Sequence, residues 1–250
     1  MTIIGFGSLV LGLIFLCPFG FVAWVLYLLG LRRQMPAVIY RIAQGWALFV
    51  ILVVRCKVIV KGREKIPKKG SVCFVSNHDG YFDIALLLAH CGRPFGFIAK
   101  KELSFIPFLN LWIYMLGGLF IDRKNIKKAV KTISKGVKRI KSGGGMIIFP
   151  EGHRAKGRGL LPFHPGSLKL ATSAKAPIIP VAIEGSYEVF EKNKRVIGGL
   201  SVKITFLDLI DTANLPSADK KQALSDKIYS VISEELGVKS EAPELPADYN

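Results

Sequence analysis

Apolar residues fill almost every position from Ile3 to Leu31, and no charge interrupts them. About 20 apolar residues suffice to cross a bilayer. The run therefore predicts a membrane-embedded helix, kinked or broken near Pro18 and Gly20. Arg32 and Arg33 close it, and a second apolar stretch from Val38 to Val54 is interrupted by Arg41 and Gln44. After residue 56 the pattern changes to short apolar runs alternating with longer amphipathic ones. Strands are expected at 57–62, 73–76, 96–99, 117–121, 145–150, 178–183 and 202–206, and helices at 82–91, 124–141, 167–174 and 219–236. Such alternation argues for an α/β domain with a mixed, largely parallel sheet flanked by helices. The chain thus reads as an N-terminal membrane-associated helical segment (1–55), an α/β domain (56–239) and a loose, acidic, proline-rich tail (240–250).

The helix at 124–141 shows one apolar stripe of Ile126, Val130, Ile133, Val137 and Ile140, expected to pack on the sheet. Lysines fill much of the rest, and no acid occurs from Arg123 to Pro150. Over 250 residues the net charge is +17, while half of the residues are apolar. A chain both greasy and basic suits an anionic membrane surface. Nucleic acid would account for the charge but not for the grease, and is not expected as a partner. If both N-terminal stretches crossed the membrane, Arg32–Arg33 and the basic domain would lie on opposite sides, against the positive-inside tendency. Two arrangements avoid this. Either the first stretch crosses and the second lies along the interface, or a hairpin dips into one leaflet and returns. Both leave the α/β domain on the cytoplasmic face of the cell membrane. Cys17, Cys56, Cys73 and Cys91 lie in apolar segments without metal-ligand spacing and read as small core residues.

Four short segments carry candidate chemistry. In SNHDGYFD (76–83), His78 falls between a strand and a helix, with Asp83 five residues on. On a regular helix that spacing sets two side chains about 140° apart. With His78 in the turn and Asp83 in the first helical turn they meet, and a carboxylate on Nδ1–H leaves Nε2 as a base. Taken alone, this segment favours a hydrogen-bonded structural histidine at a strand end. GGLFIDR (117–123) delivers Arg123 at a strand end. FPEGHR (149–154) places Glu151, Gly152 and Arg154 just past another. Arginines offer a fork for phosphate oxygens, a glycine lets backbone N–H groups approach an anion, and Glu151 can accept from a hydroxyl. Two such arginines could clamp one dianion. APIIPVAIEGS (176–186) reads as a pocket wall, with Pro180 in a strand.

Taken in order, these segments resemble the glycerolipid acyltransferase family. Asn77, His78 and Asp83 match its N-H-x4-D block, and Gly117, Phe120, Ile121 and Arg123 match G-x-x-F-I-x-R. FPEGHR matches F-P-E-G-T-R with His153 in place of threonine, and APIIPVAI resembles the proline-containing fourth block. AKKEL (99–103) also resembles the run that follows the first block, and the likeness covers roughly residues 57–210. The resemblance implies transfer of a fatty acyl group from a thioester to the sn-2 hydroxyl of lysophosphatidic acid. The donor would be acyl carrier protein or coenzyme A as a thioester, with no separate cofactor. It casts His78 as general base, Asp83 as its orienting partner, and Arg123, Glu151, Gly152 and Arg154 as acceptor-binding residues. His153 reads as a spectator, with His164 close in sequence. Other acceptors remain open: glycerol 3-phosphate, dihydroxyacetone phosphate or another lysophospholipid. So do a membrane esterase, for which Ser76 and Ser104 lack the G-x-S-x-G setting, and a non-enzymatic adaptor for anionic lipids.

Overall fold

The computed structural model describes residues 35–164, 166–212 and 219–238, with isolated positions at 18, 21 and 25. Apart from those isolated positions, the apolar run 3–31 lies outside the described residues, as does the tail 240–250. Helix α1 (Met35–Val54) comes first, then β1 (Lys57–Lys61), β2 (Val72–Ser76), α2 (Phe82–His90) and β3 (Phe95–Lys100). Helix α3 (Leu109–Met115), β4 (Leu119–Ile121), α4 (Ile126–Lys141) and β5 (Gly145–Ile148) follow. The chain continues through α5 (Lys169–Ala174), β6 (Ile178–Glu184), α6 (Ser186–Val189), β7 (Ser201–Phe206) and α7 (Asp219–Leu236). The strands form one sheet in the order β1-β7-β6-β2-β5-β3-β4. Every adjacent pair is parallel except β6 and β7, so the expected mixed, largely parallel sheet is present.

Side-chain alternation along the central strands feeds two cores. On β2, Val72 and Phe74 join α1, α2 and α3 on one face, whereas Cys73 and Val75 join α4, α5 and α7 on the other. Parallel strands covered on both faces become continuous apolar runs, and all five residues of β2 are buried. Cys73 and Cys91 are buried and Cys56 half-buried, and burial pushes all three thiols up, which suits packing rather than reactivity.

Helix α1 docks through Tyr40, Ala43, Ala47, Val50 and Val54. The Tyr40 hydroxyl donates to the Leu88 carbonyl at 3.0 Å and Gln44 Nε2 to the Ala89 carbonyl at 2.9 Å, closing the end of α2. Its opposite face exposes Leu48, Phe49, Leu52 and Val53. Among the described residues, Pro36–Val54 is the one helix long and apolar enough to cross a membrane, and it shares a core with the sheet.

The stripe on α4 is only half used. Ile133 and Val137 pack on the core and Ile140 is fully buried, but Ile126 and Val130 are 79% and 61% exposed. Strand β4 has only three residues, so the first turns of α4 lie beyond the sheet's cover. Helix α3 was not legible as a helix, because LNLWIYM is apolar on nearly every side and shows no period. Its end explains why β4 starts at Leu119 rather than at 117. The Gly117 and Gly118 N–H groups bond back to the Tyr114 and Ile113 carbonyls.

Candidate active site

Strands β2 and β5 are neighbours, with Val75 opposite Ile148. The helix after β2 packs on one face of the sheet and the helix after β5 on the other. Loops leaving two such strands diverge and open a crevice at their carboxyl ends, where ligands bind in open α/β sheets. His78 leaves β2 and the 149–154 turn leaves β5 at this crevice.

Buried Asn77 fixes the first turn. Its Nδ2 donates to the Ile183 carbonyl and its Oδ1 accepts the Ile183 N–H, both at 2.8 Å, extending the β2–β6 ladder through a side chain. The chain then curls so that Asp83, on the first turn of α2, faces back. Asp83 Oδ2 lies 2.6 Å from His78 Nδ1 and accepts the N–H groups of Asp79 (2.8 Å) and Gly80 (3.1 Å). Asp83 is fully buried, while the His78 side chain keeps 19% exposure. Nδ1–H donates to the carboxylate, so Nε2 carries the free lone pair. Phe149 stacks on the imidazole at 4.1 Å between centroids and restrains its plane. The two residues named from sequence thus meet, an imidazole held by a buried carboxylate.

Glu151 is placed differently from an acceptor-binding side chain. It has no exposed surface, and its oxygens accept backbone N–H groups from His78 (2.7 Å) and Leu161 (3.1 Å). Burial raises its pKa well above the usual carboxylate range, against the pull of those two donors. Glu151 therefore ties the β5 turn to the backbone of His78. Asp79 makes a second tie, accepting the Gly157 N–H at 2.8 Å, while the Ala155 N–H donates to the His78 carbonyl at 2.7 Å.

The arginines flank this joined turn. Arg123, exposed at the end of β4, donates through Nη1 to the Gly152 carbonyl. Gly152 has φ +73°, and a Cβ there would lie 3.0 Å from His164 Cδ2 and 3.4 Å from Arg123 Nη1. His164 thus packs at the turn, and desolvation with the nearby Arg123 charge lowers its pKa. Asp122, next to Arg123 in sequence, pairs instead with Lys101 at 2.9 Å. Arg154 bonds through Nη1 to Glu191 Oε1 at 3.0 Å and lies over the Tyr81 ring, 3.6 Å from its centroid. His153 is exposed.

Sequence reasoning missed Glu191, Tyr81, Phe149 and Asp79 as parts of the site. Tyr81, Phe149 and Asp79 stand inside the quoted motifs. Glu191, in the loop after α6, carries no local signal at all.

The acyltransferase family profile matches residues 57–184, the span from β1 to the end of β6. The chain belongs to the acyltransferase family. Its relatives include the 1-acyl-sn-glycerol-3-phosphate acyltransferase of Borreliella burgdorferi, 34% identical over 185 residues, 74% of this chain and 72% of the relative. The Escherichia coli enzyme of the same name is 32% identical over 168 residues, 67% of each chain. The crystal structure of the 1-acyl-sn-glycerophosphate (LPA) acyltransferase PlsC from Thermotoga maritima superposes with a TM-score of 0.75 at 26% identity. That match covers 94% of this acyltransferase and 96% of the PlsC chain.

Proposed function

We propose that this acyltransferase moves a fatty acyl group from a thioester to the sn-2 hydroxyl of 1-acyl-sn-glycerol 3-phosphate, giving phosphatidic acid. The observation that carries this reading is the His78–Asp83 pair at 2.6 Å, at the end of β2 beside the β5 turn, which bears Arg154 and accepts a hydrogen bond from Arg123. His78 Nε2 takes the proton of the acceptor hydroxyl as that oxygen attacks the thioester carbonyl. A tetrahedral oxyanion forms and collapses, the carbon–sulfur bond breaks, and the imidazolium returns the proton to the thiolate. Asp83 holds the imidazole in its tautomer and stabilises the transient imidazolium. Glu151 acts through position, tying the His78 backbone to the β5 turn. Arg123 and Arg154 hold the acceptor's phosphate, so that its hydroxyl lies beside His78.

The donor is acyl carrier protein or coenzyme A in thioester form. Both are acidic, and the lysines exposed along α4 suit either. No separate cofactor takes part. The protein works at the cytoplasmic face of the cell membrane, with the outward apolar side of α1 lying in the interface. That arrangement accounts for a helix with one face docked in protein and the other apolar and exposed.

The test is acylation of lysophosphatidate by the purified chain and by His78→Ala, with both donors supplied. Loss of a general base costs about 10²–10⁴-fold in rate, and a fall of that size is expected. Equal activity of the two proteins would remove His78 as the base.

A further inference from the structure

We propose that Glu191 positions Arg154 for the acceptor's phosphate. The proposal rests on the reading of Arg154 as a phosphate ligand. Glu191 belongs to none of the four motif blocks, yet its Oε1 accepts two hydrogen bonds from two of them. One is the Tyr81 N–H at 2.7 Å, from the turn that carries His78. The other is Arg154 Nη1 at 3.0 Å, from the turn after β5. The Glu191 side chain is 12% exposed and that of Arg154 24%, so water screens the pair only in part. Tyr81 completes the seat, with its ring 3.6 Å beneath the guanidinium. Gly80 makes room for the carboxylate, because a Cβ there would lie 3.0 Å from Glu191 Oε2.

A free arginine side chain carries much rotamer entropy. Here the carboxylate holds it in plane and the tyrosine holds its face, so that freedom is already spent before the acceptor arrives. The hydrogen bond to Glu191 engages one of five guanidinium N–H groups, which keeps the fork usable. The same Oε1 also fixes the distance from Arg154 to the turn that bears His78. A phosphate seated on Arg154 is thereby set at a defined distance from the base. The opposing expectation is electrostatic: a carboxylate beside the phosphate site repels a dianion and weakens its binding. Glutamine separates the two effects, since it keeps the accepting oxygen and drops the charge.

The experiment uses the full chain in mixed micelles. Initial rates are measured against lysophosphatidate at saturating acyl donor, then against donor at saturating lysophosphatidate. Glu191→Ala is expected to raise KM for lysophosphatidate about 10- to 100-fold, the scale of misplacing a positioning group. Its donor KM stays within about twofold, since the donor site is untouched. Glu191→Gln restores the acceptor KM to near wild type. The double variant Glu191→Ala/Arg154→Ala is no worse than Arg154→Ala alone, because one residue acts through the other. Glu188→Ala, which breaks the neighbouring exposed Glu188–Lys192 pair, serves as the neutral control. Should Glu191→Ala fail to fold, Glu191→Asp withdraws the carboxylate by one methylene and is read in the same way. An acceptor KM that stays at or below the wild-type value overturns the proposal, as does a loss additive with Arg154→Ala. A wild type that acylates only acceptors lacking a phosphate sinks the reading of Arg154 itself, whereas full wild-type activity with an unmoved variant sinks Glu191 alone.

Discussion

Two buried carboxylates reach His78, one 5 residues on in sequence and the other 73, and each has a different task. Asp83 bonds the ring, while Glu151 bonds the backbone. The Glu151 task needs two accepting oxygens, one for His78 N–H and one for Leu161 N–H. Glutamine offers only one, so Glu151→Gln leaves a buried N–H facing an amide NH₂. Such an unsatisfied donor costs about 1–3 kcal/mol. Urea unfolding in detergent should show that loss, and acyl transfer should fall with it as the His78 backbone is released. Glu191 gives a pH signature. Burial raises its pKa above the ordinary 4.5 and outweighs the donors that lower it. The folded chain then keeps this proton to higher pH than the unfolded chain does. Native stability from this group is present below the ordinary value and is lost as pH rises through the raised one. Glu191→Gln has no such proton, so wild-type stability measured relative to this variant should decline as pH rises from 4.5 towards neutrality. A constant difference across that range would contradict the burial argument.

At the scale of elements, the first glycine of the second motif is explained by a neighbour from another helix. Gly117 turns the chain from α3 into β4 at φ +79°, and a Cβ there would overlap the Arg139 guanidinium. That half-buried guanidinium donates to the Leu116 carbonyl at 3.2 Å and so closes the end of α3. Gly117→Ala combines a left-handed backbone with displacement of Arg139. It is expected to lower stability by more than about 2 kcal/mol, read as a shifted urea midpoint. An unmoved midpoint would show that Arg139 has another seat. Helix α4 shows how far periodicity carries. Its stripe correctly marked Ile133, Val137 and Ile140, but Ile126 and Val130 extend past the short β4 and stay exposed among lysines.

For the molecule as a whole, exposed apolar side chains and basic charge share the carboxyl edge of the sheet. Phe105 follows β3 and Ile126 follows β4, and the Lys101–Asp122 pair joins these two segments at 2.9 Å. Lys127, Lys128 and Lys131 line the start of α4. A lysine near an anionic bilayer contributes about 1 kcal/mol. Binding to mixed vesicles containing phosphatidylglycerol should therefore weaken by up to about 100-fold when these three lysines are changed to glutamine. Salt well above 0.15 M should have the same effect. An unchanged lipid dependence would assign membrane contact to other segments.

The sequence by itself determined the fold class, the order of the strands along the chain and the His78–Asp83 pair. These are local properties: a period of two or of 3.6, a strand ending in a polar turn, a carboxylate in the first helical turn after a loop that bears a histidine. It also placed Arg123, Glu151, Gly152 and Arg154 at strand ends, since each follows directly on an apolar run. Only the tertiary structure decided which strand ends are neighbours, because β2 and β5 lie about 70 residues apart in the chain and meet through backbone ladders. It turned Glu151 inward, where burial and two backbone donors define its use. It brought in Glu191 from a loop without periodicity or motif, since a carboxylate gains meaning only from the donors that folding sets around it. It also left Ile126 and Val130 uncovered, because the length of β4, rather than the pattern of α4, limits what the sheet can bury.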